Sequence, residues 1–70
     1  MEKLNEKDVR DDIIEHLNLI ERRLSWLSTK TEIPYHTLYS VFKKKMFVLS
    51  DRNLAKINRV LETDFINDQK

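Results

Sequence analysis

One stretch in the middle of the chain decides the fold, and it reads Leu24-Ser25-Trp26-Leu27-Ser28-Thr29-Lys30-Thr31-Glu32-Ile33-Pro34-Tyr35-His36-Thr37-Leu38-Tyr39. Pro34 has a preset φ and no backbone N–H, so it fits the first turn of a helix. It also disfavours helical geometry at Ile33, the residue before it. One helix therefore stops near Thr31 and another starts near Pro34. Two helices joined by so short a break cross steeply and need apolar residues at fixed offsets.

Apolar residues occupy those offsets. Leu27, Ile33, Leu38 and Val41 are placed to fill the angle between the helices predicted over 24–31 and 34–43. Before this pair, apolar residues at spacings of three and four predict a helix over 8–21. After it, the cap Ser50 and a similar spacing predict a helix over 50–62. We expect a loop at 46–49 between them, with Phe47 or Leu49 packed inward.

The fold class predicted is all-α, with four to five short helices around one core. The domain spans 8–63, residues 1–7 form a flexible N-terminus, and residues 64–70 form a polar C-terminal tail. Trp26 is expected in the core or at its edge, and His16 on the solvated surface. The predicted core comprises Leu17, Ile20, Leu24, Leu27, Ile33, Leu38, Val41, Leu54, Ile57 and Leu61.

Composition excludes several classes of function. The chain has 70 residues, of which 40% are hydrophobic and 36% charged, and it has neither cysteine nor glycine. Thiolate metal sites, disulfides and glycine-rich phosphate loops are therefore excluded. No apolar run approaches the roughly 18 residues of a membrane span, and the start lacks the apolar stretch of a signal peptide. We expect a cytoplasmic protein of a bacterial host cell, with no enzyme activity, catalytic residue, cofactor, metal or membrane partner.

Charge is distributed unevenly along the chain. Residues 1–21 hold 3 basic and 7 acidic residues, residues 22–60 hold 9 basic and 2 acidic, and residues 61–70 hold 1 basic and 3 acidic. A basic centre favours a polyanion such as DNA. The acidic flanks would instead suit a basic protein, and a highly charged helical domain also shows such runs by chance.

The stretch 24–39 resembles the helix-turn-helix of the phage repressor and Cro-like (XRE-type) family, most closely in Thr31-Glu32-Ile33-Pro34-Tyr35-His36-Thr37-Leu38-Tyr39. The resemblance covers about residues 8–63, of which about 24–43 is motif-like, and it implies a lambda-repressor-like domain. Two positions depart from the family. Glu32 stands where a glycine usually adopts positive φ, at a cost of about 1 kcal/mol. Ser28 stands where the family usually has alanine.

The resemblance implies that helix 34–43 enters the major groove of operator DNA, with the protein acting as a dimer on a two-fold site. It places Tyr35, His36, Thr37, Tyr39, Ser40 and Lys43 outward, without the Arg, Asn or Gln side chains that read bases best. The residues that would contact phosphates are Lys30, Lys43, Lys44 and Lys45, together with Arg22 and Arg23. The full set of residues assigned to DNA or partner binding is Arg23, Lys30, Pro34, Tyr35, His36, Thr37, Tyr39, Ser40, Lys43, Lys44 and Lys45.

The expected function is a small transcriptional regulator of a phage or prophage genetic switch. The aromatic outward face supports an alternative, because tyrosine and tryptophan are enriched in protein interfaces. In that alternative the protein is a modulator or antirepressor that binds a phage repressor through the same face. An antitoxin-type partner is a second alternative. Phe47, Val48, Phe65 and Ile66 either serve a homodimer or hetero-partner interface, or in part cap the core.

Overall fold

The computed structural model describes residues 8–68, and within that range the chain forms four helices and no strand. Helix α1 is Val9–Leu19 and helix α2 is Leu24–Thr31. Helix α3 begins as Tyr35–Leu38 and continues as the π-helical segment Tyr39–Lys43, and helix α4 is Asp51–Leu61. The all-α prediction is confirmed, and every predicted helix boundary lies within two residues of the observed one. The predicted flexible segment 1–7 lies outside the described residues, as do residues 69 and 70.

Helices α1 and α4 begin at side-chain caps that satisfy otherwise unpaired backbone donors. The Asp8 carboxylate accepts from the Arg10 N–H at 2.9 Å, and the Asp11 carboxylate accepts from the Asp8 N–H at 3.2 Å. The Asp8 carboxylate also accepts from the Asp11 N–H, and this reciprocal pair of bonds between Asp8 and Asp11 is a capping box with aspartate in both positions. At α4, the Ser50 hydroxyl accepts from the Asn53 N–H at 3.2 Å. Both starting points follow from short polar residues that the sequence places just before the apolar periodicity.

Four turns adopt left-handed backbone geometry without glycine. The φ angles are 58° at Glu21, 64° at Glu32, 55° at Lys45 and 58° at Glu62. The expectation of positive φ at Glu32 is thereby confirmed. Glutamates thus occupy the left-handed positions that follow α1, α2 and α4, where glycine is the usual residue. Each non-glycine residue in this region costs roughly 1 kcal/mol, so these turns lower the stability of the domain.

One hydrophobic core joins the four helices. Most of the predicted core is buried, and Leu61 is partly buried at its edge, as is Trp26. Ile20 is a wrong prediction, since 40% of it is exposed. Helix α1 ends at Leu19, so Ile20 lies outside the helix whose periodicity placed it in the predicted core. Among residues 8–68, the buried hydrophobic residues are Val9, Ile13, Leu17, Leu24, Leu27, Ile33, Leu38, Val41, Phe42, Leu49, Leu54 and Ile57.

The second half of α3 is π-helical and carries two consecutive buried residues, Val41 and Phe42. Its wider turn is closed by the Lys44 N–H, which donates to the Tyr39 carbonyl at 3.1 Å, five residues earlier. In the loop that follows, Leu49 is the residue that packs inward, while Phe47 is exposed.

Residues 63–68 have no regular secondary structure, but Asn58 holds them against α4. The Asn58 Oδ1 accepts from the Thr63 hydroxyl at 2.8 Å and from the Phe65 N–H at 2.9 Å, and its Nδ2 donates to the Phe65 carbonyl at 3.0 Å. Phe65 packs against the core and meets the His16 ring edge-on, with 6.0 Å between centroids. The expectation that His16 is a solvated surface residue is therefore wrong, because the folded-back chain half-buries it.

We expect Glu32→Gly to stabilise the domain by about 0.5–1 kcal/mol, because glycine removes the Cβ strain of the left-handed turn after α2. Urea unfolding monitored by circular dichroism measures the change. The matched control is Lys56→Gly, at an exposed position inside α4, which should cost about 1 kcal/mol. If Glu32→Gly instead lowers the free energy of unfolding, the left-handed geometry of Glu32 is not a source of strain in the domain.

Candidate nucleic-acid interface

The turn between α2 and α3 is three residues long and is fixed by hydroxyl groups. The Ser28 hydroxyl donates to the Ile33 carbonyl at 2.6 Å and so bonds the end of α2 to the turn. The Thr31 hydroxyl donates to the Leu27 carbonyl at 2.7 Å and accepts from the Ile33 N–H at 3.3 Å. Thr31 and Ile33 are both buried. The hydroxyl hydrogen bonds and the burial of Ile33 therefore fix the orientation of α3 relative to α2.

The outward face of α3 carries aromatic side chains. Tyr35, His36 and Tyr39 are exposed, whereas Thr37 and Ser40 are half-buried. The two tyrosine rings lie side by side, with 6.1 Å between centroids and 32° between planes. Pro34 is exposed at the start of this helix. We call Tyr35, His36 and Tyr39 the aromatic face.

A cleft of about 240 Å³ borders the aromatic face and is lined by three cationic side chains. Arg22, Arg23 and Lys43 line it together with Tyr35, and no acidic residue does. None of the three cations is in an ion pair with another of residues 8–68. The Arg22 guanidinium lies 5.1 Å from the centroid of the Trp26 ring, a cation–π contact that orients it. This basic cleft is suited to an anion such as a backbone phosphate.

The other predicted cations lie elsewhere. Lys30 lines a separate cleft of about 370 Å³ together with Lys56 and Arg59 of α4. Sequence reasoning did not select Lys56 and Arg59, although their spacing of three along α4 indicates a shared helix face. Lys44 is exposed beyond the π-helical segment. The predicted cations are therefore not brought together: Arg23 and Lys43 line the cleft beside the aromatic face, Lys30 lines the other cleft, and Lys44 and Lys45 line neither.

Lys45 is used by the fold itself. Its Nζ lies 2.6 Å from the Asp11 Oδ1 and lowers the pKa of that carboxyl. At the N-terminus of the same helix, the Arg10 guanidinium donates to the Asp8 carboxylate at 2.8 Å. This contact lowers the pKa of Asp8 and raises the pKa of Arg10. The Lys45–Asp11 contact attaches the loop after α3 to the start of α1. The charge of Lys45 is therefore already neutralised by a neighbouring carboxylate.

We expect stability to fall as the pH drops from about 5 through the lowered pKa values of Asp8 and Asp11, because both carboxylates must be ionised to bond their cations. Above the pKa values of the unfolded chain, this contribution is fully present. Urea unfolding at pH 5 and pH 3 measures it. Asp11→Asn should lose less stability over this range than the wild type. Asp12→Asn, which removes a carboxylate from the same turn but keeps the Lys45 contact, should lose more than Asp11→Asn does.

Among the described residues, no group of three histidine, cysteine or carboxylate side chains is placed to hold a metal ion. Each helix between residues 8 and 68 is too short or too polar to cross a bilayer. No protein-family model, curated protein or solved structure matches the chain.

Proposed function

We propose that this protein is a small transcriptional regulator that binds double-stranded operator DNA through the aromatic face of α3. The observation that carries the proposal is the position of the basic cleft beside that face, on a helix oriented by a three-residue turn. A steep pair of helices with a short turn is the arrangement by which one helix enters the major groove while its neighbour meets the backbone. The resemblance to phage repressors extends the proposal to a phage or prophage genetic switch.

Electrostatics supports DNA as the ligand. Arg22, Arg23 and Lys43 converge on one cleft without a carboxylate among its lining residues. Phosphate contacts by such cations supply the sequence-independent part of DNA affinity. Tyr35, which lines this cleft, and Tyr39 beside it would bring hydroxyl groups and ring faces to base edges or thymine methyl groups.

The aromatic face predicts modest discrimination between sequences. Bidentate contacts from Arg, Asn or Gln discriminate bases best, and none of these residue types belongs to the aromatic face. Tyrosine and histidine donate or accept single hydrogen bonds. We therefore propose that most of the affinity comes from phosphates at the basic cleft and that the aromatic face selects among sites.

Fluorescence anisotropy with labelled duplex from the upstream region of the protein's own gene tests the proposal. The titration is run at low and at moderate salt, beside an unrelated duplex of equal length. Tighter binding to the upstream duplex, weakening with salt, is the expected result. Equal, weak binding to both duplexes contradicts sequence-selective regulation by this protein alone.

We expect Arg23→Ala combined with Lys43→Ala to weaken binding to every duplex and to flatten the salt slope by about one to two units, since each phosphate contact contributes about 0.9. The matched control is Lys56→Ala combined with Arg59→Ala, which removes the same charge from the other basic cleft. The control should keep the wild-type slope to within measurement error. Equal effects of the two double variants would mean that net charge, rather than the basic cleft, governs binding.

The side-by-side tyrosines support a second function, in which this protein modulates a repressor by binding it. Tyr35 and Tyr39 are both exposed and present a rigid aromatic surface. Such side chains give large contact area at a small entropic cost. The same face would then meet a protein rather than a base edge.

For this second function, we expect Tyr39→Ala to weaken complex formation with a repressor encoded beside the gene by more than about 1 kcal/mol. Isothermal titration calorimetry measures the loss. The control is Leu19→Ala, an exposed apolar residue outside the aromatic face. If Tyr39→Ala binds the repressor as tightly as the wild type does, the aromatic face is not the repressor site.

A further inference from the structure

The two tyrosines of the aromatic face form one exposed surface of aromatic carbon. Tyr35 is 48% and Tyr39 is 41% exposed, and they stand one helical turn apart. Their ring centroids lie 6.1 Å apart, within the range of about 4.5–7 Å at which aromatic rings attract each other. Each ring therefore limits the movement of the other, and the surface is formed before a ligand arrives.

The residue types of this helix leave few means of distinguishing bases by hydrogen bonds. No arginine, asparagine, glutamine or carboxylate occurs over 34–43, and Lys43, the only lysine in that range, lines the basic cleft. Paired hydrogen bonds to guanine or adenine need forked donors or amides, and the amino group of cytosine is best recognised by a carboxylate. The tyrosine hydroxyls and the His36 ring make single hydrogen bonds, which more than one base can satisfy.

Thymine offers a contact of a different kind. Its C5-methyl is the one apolar group that an unmodified base presents in the major groove. An exposed ring surface is stabilised by covering a methyl group, whereas the polar edges of adenine, guanine and cytosine lose hydration against the same surface. Removing one methyl-sized group from water contributes about fourfold to a binding constant. A ring surface without forked donors therefore discriminates in favour of thymine.

We propose that Tyr35 and Tyr39 recognise the C5-methyl groups of thymine, so that this protein selects its operator by the positions of thymines in the major groove. The inference rests on the DNA binding proposed above and names the feature of DNA that the aromatic face contacts. The two tyrosines are then specificity-determining residues. Phosphates at the basic cleft supply an affinity that does not depend on sequence. Affinity and selectivity thus reside in different side chains and can be measured separately.

Replacing thymine by deoxyuridine isolates the methyl group. The duplex from the upstream region of the gene, synthesised with deoxyuridine in both strands, keeps every phosphate and every hydrogen-bonding group of the thymine duplex. Fluorescence anisotropy should show binding at least about fourfold weaker for the deoxyuridine duplex, the effect of one lost methyl contact. The salt slope should be the same for both duplexes, because the phosphate contacts are unchanged.

Substitutions at the two tyrosines assign this preference to the aromatic face. Tyr35→Ala combined with Tyr39→Ala removes both rings and should bind the thymine and deoxyuridine duplexes equally, to within about twofold. Tyr35→Phe combined with Tyr39→Phe removes only the hydroxyls and should keep a preference of at least about fourfold. His36→Ala is the matched control, since it alters the same face without removing a tyrosine ring, and it should also keep the preference. Far-UV circular dichroism verifies that each variant is folded.

The outcomes separate this inference from the proposed function. If the thymine duplex is bound no better than an unrelated duplex, sequence-selective DNA binding fails and the inference fails with it. If selective binding is present but the deoxyuridine duplex is bound equally well, only the inference is overturned. A preference that survives loss of both rings would also overturn it, because the methyl groups then act through the shape of the DNA. Tighter binding to a separated strand than to the duplex would mean that bases stack on the rings instead.

Discussion

The structure depends on a turn that must bend in the left-handed region without glycine. Glu32 adopts φ 64° between α2 and α3, and its N–H donates to the Ser28 carbonyl at 2.8 Å. The strain of this residue is offset by hydroxyl bonds from Ser28 and Thr31 and by the burial of Ile33. Helix α2 packs against α4, and the turn holds α3 in a fixed orientation to α2. The turn therefore determines which side of α3 faces the core. The position of the aromatic face follows from it.

Much of this arrangement was predictable because it depends on local chemistry. Pro34 and the spacing of apolar residues predict the break and the helices on either side, and Ser50 predicts the start of α4. The error at Ile20 concerns where α1 ends, whereas the error at His16 concerns residues far apart in the chain. The His16 ring meets Phe65 edge-on where Asn58 bonds the returning chain, and helical periodicity does not predict such a contact. The π-helical turn at 39–43 is likewise not signalled by its residue types.

The predicted binding surface was more difficult to derive, because a cation's role depends on its nearest charge. Lys43 and Lys45 are two residues apart, yet Lys43 lines the basic cleft and Lys45 is paired with Asp11. Lys30 belongs to the same sequence motif as Tyr35 but lies with Lys56 and Arg59. Sequence places all these residues in one basic segment. The three-dimensional structure divides them into a cation that stabilises the fold and cations that remain available to a ligand.

This division changes how the charge distribution along the chain is interpreted. The acidic first part and the basic middle partly neutralise each other, since Asp11 of α1 pairs with Lys45 of the loop after α3. The basic excess of residues 22–60 therefore overstates what a polyanion would meet. The unpaired cations that remain are distributed locally, and one cleft places three of them beside Tyr35. A cleft lined by one sign of charge focuses the electric field and raises the local concentration of counter-ions. The DNA binding proposed above is therefore compatible with a net charge of only +1, because the phosphate would lie at this cleft.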